Sequence, residues 1–184
     1  EDVSKYSEAS KAFYDSVFHF PKPTIAMIQG YCIGGGMGLA VACDIRLCED
    51  KSRFAIPAAK LGLGYGYEGI RRLANLVGPA IVKEIFFTAR QFSAGEAQEM
   101  RLVNRVLPPH MLAPYVDDYA KRISENAPMT MESVKAIVQA IQDDESARDL
   151  DALDAMVKAC FASQDYIEGR RAFMEKRKPD FTGS

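Results

Sequence analysis

The chain has no tryptophan and only two histidines, His19 and His110, each without cysteine, serine–acid or metal-ligand partners grouped around it. That argues against a histidine metal centre and a Ser-His-Asp triad, and leaves each imidazole a structural role. Cysteine is sparse as well. Cys32, Cys43, Cys48 and Cys160 show no C-x-x-C spacing and three lie in apolar context, so reduced core thiols are expected and no metal site. Neither sign of charge dominates: 23 basic residues face 25 acidic ones, for a formal net charge of −2. Such a balance argues against nonspecific binding to nucleic acid or to an anionic membrane. Residues 1–20 lack the basic start and apolar core of a secretory leader. No internal repeat or low-complexity linker appears. What remains is ordinary: 184 residues, 48% hydrophobic and 26% charged, fit one globular domain able to bury a sizeable core.

The longest uncharged stretch, residues 23–43, organises the rest. By length it is a membrane-span candidate, and Gly30, Gly34 and Gly38 even have the small-xxx-small spacing of packed membrane helices. Five glycines, a proline and Gln29 dilute it, however, and no second such span exists. A phosphate loop needs Lys-Ser or Lys-Thr after its glycines, whereas Met37-Gly38 follows here. Ile25, Ala26, Met27 and Ile28, bounded by Pro23 and Gly30, read as a buried strand. Gly34, Gly35 and Gly36 then lead into a helix over 37–42. A strand that breaks at glycines and restarts as a helix presents bare N–H groups at the positive end of a helix dipole, an arrangement that stabilises negative charge. The reading is an oxyanion site. A plainer alternative, glycines that only allow close helix–strand packing, stays open at this point.

Before this stretch, Ala9, Phe13, Val17 and Phe20 mark an amphipathic helix stopped by Pro21 and Pro23. After it, 45–48 and 53–56 read as strands, and 61–67 as a glycine-rich loop. Gly64, Gly66 and Gly69 satisfy G-x-G-x-x-G, but no clear strand feeds them and Arg90 stands where a dinucleotide site needs an acid. Helices follow: one through Ile70, Leu73, Ala74 and Val77, ended by Gly78-Pro79, and an apolar one over 81–89. Ser93 and Glu96 form a capping box. A strand over 103–107 stops at Pro108-Pro109, and three more helical faces follow through Leu112, Val134 and Leu150. The pattern is α/β, with a helical C-terminal region.

Lys22-Pro23-Thr24-Ile25-Ala26, Gly30-Tyr31-Cys32-Ile33-Gly34-Gly35-Gly36 and Ala42-Cys43-Asp44-Ile45 resemble the signature of the crotonase (enoyl-CoA hydratase/isomerase) family. Phe54-Ala55-Ile56-Pro57 with Leu61-Gly62 resembles its second active-site loop. Thr88-Ala89-Arg90-Gln91-Phe92-Ser93-Ala94 and Leu102-Val103-Asn104-Arg105-Val106 resemble later segments in the same order. Glu168-Gly169, Ala172-Phe173, Glu175-Lys176-Arg177 and Pro179 resemble its C-terminal tail. The resemblance implies a crotonase-like ββα spiral core over residues 1–107, lacking the family's N-terminal strands and the loop that supplies a first oxyanion N–H. It implies a helical region over 108–184 for oligomer contacts and part of the CoA site.

The functional expectations follow from the same resemblance. The substrate is an acyl-CoA thioester, no separate cofactor is needed, and the partner is another copy of the chain, as a trimer or dimer of trimers. Neither nucleic acid nor membrane is a partner. The location is the cytoplasm or an organelle matrix. The Gly35 N–H matches the family's second oxyanion donor, flanked by Gly34 and Gly36. The family's two glutamates, between which water is held for hydration, are absent: Gly38 and Ala58 stand at those positions. Glu68 stands close to where some family isomerases carry a single acid, and is also an ordinary first-turn helix glutamate. Tyr65 and Tyr67 are candidates to line the pocket and fill the space vacated at 38 and 58. Phe173 and Lys176 match tail residues that reach the adenine and phosphates of CoA on a neighbouring subunit, although Lys176-Arg177-Lys178 is also a charge run of the kind found on solvated surface. Two classes of function are therefore expected: an enzyme that forms a thioester enolate, or a catalytically silent acyl-CoA binder.

Overall fold

A computed structural model describes residues 2–184, with side chains from Glu8 onward; Glu1, counted in the expected spiral core, lies outside the described residues. The chain divides into two compact units. The first takes the residues up to Phe20 and Thr24–Asp117, and the second Pro21–Pro23 and Asp118–Ser184.

In the first unit, helix α1 (Asp2–Phe18) precedes strands β1 (Ile25–Ile28) and β2 (Tyr31–Ile33), then helix α2 (Gly35–Ala42). The pattern repeats with β3 (Ile45–Glu49), β4 (Arg53–Ala55), a short 3₁₀ helix at Pro57–Leu61 and helix α3 (Tyr67–Val77). Then come α4 (Pro79–Thr88), β5 (Phe92–Ser93), α5 (Ala94–Glu99) and β6 (Arg105–Leu107). β1, β3 and β6 form one parallel sheet, with Ile25 opposite Ile45 and Cys48 opposite Val106. β2, β4 and β5 form a second, in which β2 and β4 are parallel and β5 runs antiparallel to β4. Each two-strand passage therefore crosses from the first sheet to the second before a helix returns, which is the ββα spiral expected. β1 and β2 each stand at the edge of their sheet.

The apolar runs become the core. Met37 of α2, Phe54 of β4, Leu73 of α3, Ile85 of α4 and Phe92 of β5 are all buried in one cluster, each worth about 1.5–3 kcal/mol of transfer out of water. Ser93 caps α5 as the spacing predicts, accepting from the Glu96 N–H while the Glu96 carboxylate accepts from the Ser93 N–H.

Several expectations are corrected. Residues 23–43 divide into β1, β2 and α2 rather than into one strand and one helix. β2 escaped notice because only three residues separate its flanking glycines. α2 begins on the glycines rather than at Met37. The expected strand over 103–107 shortens to β6 because Leu102 and Val103 give their N–H groups to the Ala97 carbonyl. In β3 three successive residues, Arg46, Leu47 and Cys48, are buried rather than alternating. Arg46 can be buried because its guanidinium donates to the carbonyls of Leu102 (2.7 Å) and Cys43 (2.6 Å), the latter the C-cap residue of α2.

The second unit is helical: the last turns of α6 (Pro109–Ser124), then α7 (Pro128–Ile141), α8 (Leu150–Ala162) and α9 (Gln164–Glu175). α9 ends at Glu175, where Lys176 turns left-handed at φ 54°, so the helical region expected over 108–184 does not run to the end of the chain.

Candidate active site

The site is built where β2 turns into α2. Gly34 has φ 56° and ψ −112°, a conformation closed to residues with a Cβ. That single residue reverses the chain, so its N–H reaches the Ala55 carbonyl at the end of β4 (3.0 Å) while its carbonyl accepts from the Gly38 N–H (3.0 Å). The Gly35 and Gly36 N–H groups then occupy the first positions of α2, where helix geometry supplies no acceptor and the dipole is positive. A Cβ built on Gly34 or Gly36 meets nothing within 4 Å.

Gly35 and Gly38 face an aromatic ring. A Cβ at Gly38 would stand 3.0 Å from Cζ and 3.3 Å from Oη of Tyr14, and one at Gly35 would stand 3.2 Å from the same Oη. The Tyr14 hydroxyl donates to the Gly35 carbonyl at 3.2 Å. The space vacated at 38 is thus filled from α1, a correction to the expectation that Tyr65 or Tyr67 fills it. Tyr14 is held in place through its neighbour. Arg72 of α3 donates from Nη2 to Asp15 Oδ1 (2.5 Å), and Lys11 bonds the other oxygen. Burial pushes the Asp15 carboxyl up, but the bonds from Lys11 and Arg72 outweigh it and hold the group below its ordinary value. The buried Arg72 guanidinium also lies 4.3 Å from the Phe18 ring centroid, and its Nε has no hydrogen-bond partner among the described residues.

The second loop continues from the Gly34–Ala55 link. Three residues beyond Ala55, Ala58 lies in the 3₁₀ helix, its methyl buried in the core and its carbonyl accepting from the Leu63 N–H. Tyr65 packs edge-on against Phe86, with centroids 5.0 Å apart, while Tyr67 is 72% exposed. Glu68 sits in the first turn of α3 and accepts at Oε2 from Arg71 Nη2 (2.8 Å) and Nε (3.1 Å), a pair within its own helix. The structure therefore brings Gly34, Gly35, Gly36, Gly38 and Tyr14 together, and connects Ala58 to them through the backbone.

In the second unit the tail motif folds on itself. Arg177 donates to both oxygens of Glu168 (2.6 and 2.9 Å), and the Asp180 N–H adds a third bond. The Arg177 guanidinium first, and that N–H second, bring the Glu168 carboxyl down to about 2. Phe181 lies over Gly169, whose Cβ would come 3.4 Å from its ring, and Ala172 is buried. Lys178 pairs with Glu125 (2.5 Å). The charge run is thus not simply solvated surface: two of its three members are ion-paired. Phe173, 83% exposed, and Lys176, without an ion pair among the described residues, stand outside this clamp. Beside Phe173, an apolar groove of about 650 Å³ is lined by Val134, Ile137, Val157, Phe161 and Tyr166.

No other chemistry competes. All four cysteines are free, and burial pushes the Cys32 and Cys48 thiols up to about 11 and about 12, so neither is a ready nucleophile. Among the described residues no group of His, Cys, Asp and Glu could hold a metal ion.

The whole chain, residues 1–184, matches the family described as enoyl-CoA hydratase/isomerase. The chain belongs to that family. It is 40% identical over 162 residues to a crotonyl-CoA hydratase of Syntrophomonas wolfei, covering 87% of this chain and 62% of the relative. It is 36% identical over 171 residues to a carnitinyl-CoA dehydratase of Salmonella arizonae, covering 91% and 66%. Among solved structures, an enoyl-CoA hydratase/carnitine racemase from Magnetospirillum magneticum aligns with a TM-score of 0.90 at 34% identity, over 99% of this chain and 67% of that one. An enoyl-CoA hydratase from Bacillus anthracis aligns at 0.89 and 33% identity, over 100% and 71%. The chain spans 61–66% of the length of the curated relatives it matches first.

Proposed function

We propose that this member of the enoyl-CoA hydratase/isomerase family acts on an acyl-CoA thioester through an enolate whose oxygen is held by the Gly35 N–H. The observation that carries this reading is the opening of α2: a glycine-only reversal at Gly34 and bare donors at Gly35 and Gly36. One such donor typically contributes about 10²–10³ in rate. CoA is substrate rather than cofactor, and Phe173 and Lys176 are its proposed contacts, left outside the tail's own clamp. A homo-oligomer completes that part of the site, in the cytoplasm or an organelle matrix. With Gly38 and Ala58 in place of carboxylates, hydration is weak and a double-bond shift with Glu68 as the single proton carrier is the favoured reaction.

A silent acyl-CoA binder is the second reading, and one observation favours it: the Glu68 carboxylate is engaged by Arg71. A turnover assay over a panel of CoA thioesters, with Glu68→Gln alongside, separates the two. The enzyme reading requires turnover that Glu68→Gln abolishes while CoA affinity stays intact. Binding without turnover of any thioester leaves the silent reading, and full activity in Glu68→Gln removes that residue's role.

A further inference from the structure

Helical Cα–Cβ bonds tilt toward the helix N-terminus, so a side chain at position 38 covers the turn that precedes it. In α2 that turn carries the Gly35 and Gly36 donors. A side chain at 38 would therefore be directed over the oxyanion position, and that ground is taken by Tyr14, whose Cζ and Oη stand 3.0 and 3.3 Å from the Cβ that Gly38 lacks. The two positions are complementary: α2 carries no side chain at 38, and a ring from α1 occupies that space.

The ring also carries chemistry. A phenol has one proton to give and two lone pairs to receive. Its donation to the Gly35 carbonyl, at 3.2 Å, is long for an O–H···O bond, so little is lost when the hydroxyl turns to another acceptor. The ring itself is anchored, because Asp15, the next residue, is pinned by the buried Arg72 of α3. Tyr14 is only half-buried, leaving a face for a ligand.

We propose that Tyr14 is a catalytic residue of this site: its hydroxyl meets the acyl chain beside the thioester carbonyl and delivers a proton to the enolate. The phenolic O–H bond breaks, the enolate's electron pair forms the new C–H bond, the thioester C=O is restored, and the phenolate recovers a proton from water. Phenols as a class are far more acidic than a thioester α-carbon, so the transfer runs downhill. This rests on the acyl-CoA reading above and changes one part of it: Tyr14 takes the delivery of the proton from Glu68, which keeps only the removal of the first proton.

The test uses 3-fluorotyrosine-labelled protein, with the Tyr14 fluorine resonance assigned by its loss in Tyr14→Phe. The probes are acetoacetyl-CoA and CoA, and butyryl-CoA in deuterated water reports α-proton exchange. The expected result is a Tyr14 resonance that moves with acetoacetyl-CoA but not with CoA. Tyr14→Phe, which keeps the ring and the packing at Gly38, should bind acetoacetyl-CoA within about threefold of wild type, melt alike, and exchange about 10²–10⁴-fold more slowly. An unmoved resonance with probe bound, or exchange in Tyr14→Phe as fast as in wild type, overturns the assignment while leaving the acyl-CoA reading intact. Binding without any exchange in wild type overturns the proton transfer and leaves the silent reading. Failure of wild type to bind either CoA compound overturns both.

Discussion

Gly38→Ala sets two known effects against each other. Glycine inside a helix costs about 0.5–1 kcal/mol relative to alanine, so propensity alone makes the variant more stable. The added Cβ, however, lands 3.0 Å from Tyr14 Cζ, 3.3 Å from Oη and 3.4 Å from Cε1. Overpacking of this kind costs about 1–3 kcal/mol. The net expectation is a loss of about 0–2 kcal/mol, and a larger loss for Gly38→Glu, whose chain must pass the ring. In a Tyr14→Ala background the obstacle is gone and Gly38→Ala should gain its full 0.5–1 kcal/mol, giving a coupling of about 1–3 kcal/mol between positions 14 and 38. Urea midpoints of the four proteins in the cycle measure it. If Gly38→Ala stabilises equally with and without Tyr14, the ring is not pressed against α2, and the account of the site built on that contact is wrong.

Crotonyl-CoA hydration should be weak, and Gly38→Glu with Ala58→Glu should raise it appreciably only when Tyr14→Ala makes room; hydration in wild type at an ordinary enzyme rate of about 10–10³ s⁻¹ contradicts this. Ala58→Glu by itself puts an unpaired carboxyl into the core and should cost more than about 2 kcal/mol by urea unfolding, unfolding marginal preparations. At Lys176, whose φ is 54°, Lys176→Gly should stabilise by up to about 1 kcal/mol while Lys176→Ala does not, yet both should weaken CoA binding by calorimetry; unchanged affinity makes the amine surface charge only. Acid should loosen the tail. The Glu168 carboxyl is lowered from 4.5 to about 2, so its pairing with Arg177 is fully present above about pH 4.5 and is lost as pH falls toward 2. Protection factors of the amides in 176–182, taken relative to the intrinsic exchange rate at each pH, should fall over that window in wild type and lose this acid dependence in Glu168→Gln.

Much of this fold was legible because its signals are local. Ile25–Ile28 is an apolar run fenced by Pro23 and Gly30, and it forms β1 residue for residue, but as an edge strand of which only Ile28 is buried and Met27 is 46% exposed rather than as the buried strand expected. Ser93 and Glu96 need only their spacing of three to announce a cap, and both bonds form. Gly78-Pro79 ends one helix and starts the next. What escaped is set by distance along the chain. Tyr14 lies 21 residues before Gly35, and the α1 pattern pointed to the wrong face: it grouped Phe13 with Ala9, Val17 and Phe20, yet Phe13 is 52% and Phe20 48% exposed while Tyr14 is half-buried. The burial of Arg46 and Arg72 was not legible because their acceptors, Leu102 and Asp15, are 56 and 57 residues away. The Glu168–Arg177 clamp was hidden for a different reason: its charges sat in a run where solvation was the simpler expectation, and only the left-handed turn at Lys176 brings Arg177 back to α9.

The two sheet edges carry a consequence of their own. β1 and β2 each have one side with no strand partner among the described residues, and both sides belong to the same turn of the spiral. Beside them Met27 is 46% and Tyr31 74% exposed. An uncovered row of backbone donors and acceptors next to apolar side chains is a template on which any extended polypeptide can crystallise its own hydrogen bonds. Purified as residues 1–184, the protein should behave as a sticky seed: its light-scattering mass should climb with concentration, and lysine placed at Met27 or Tyr31 should quiet that growth without touching the turn at Gly34. The same stickiness is a tool, since a separately made strand pair that fits those edges would be captured by strand addition and could be selected for.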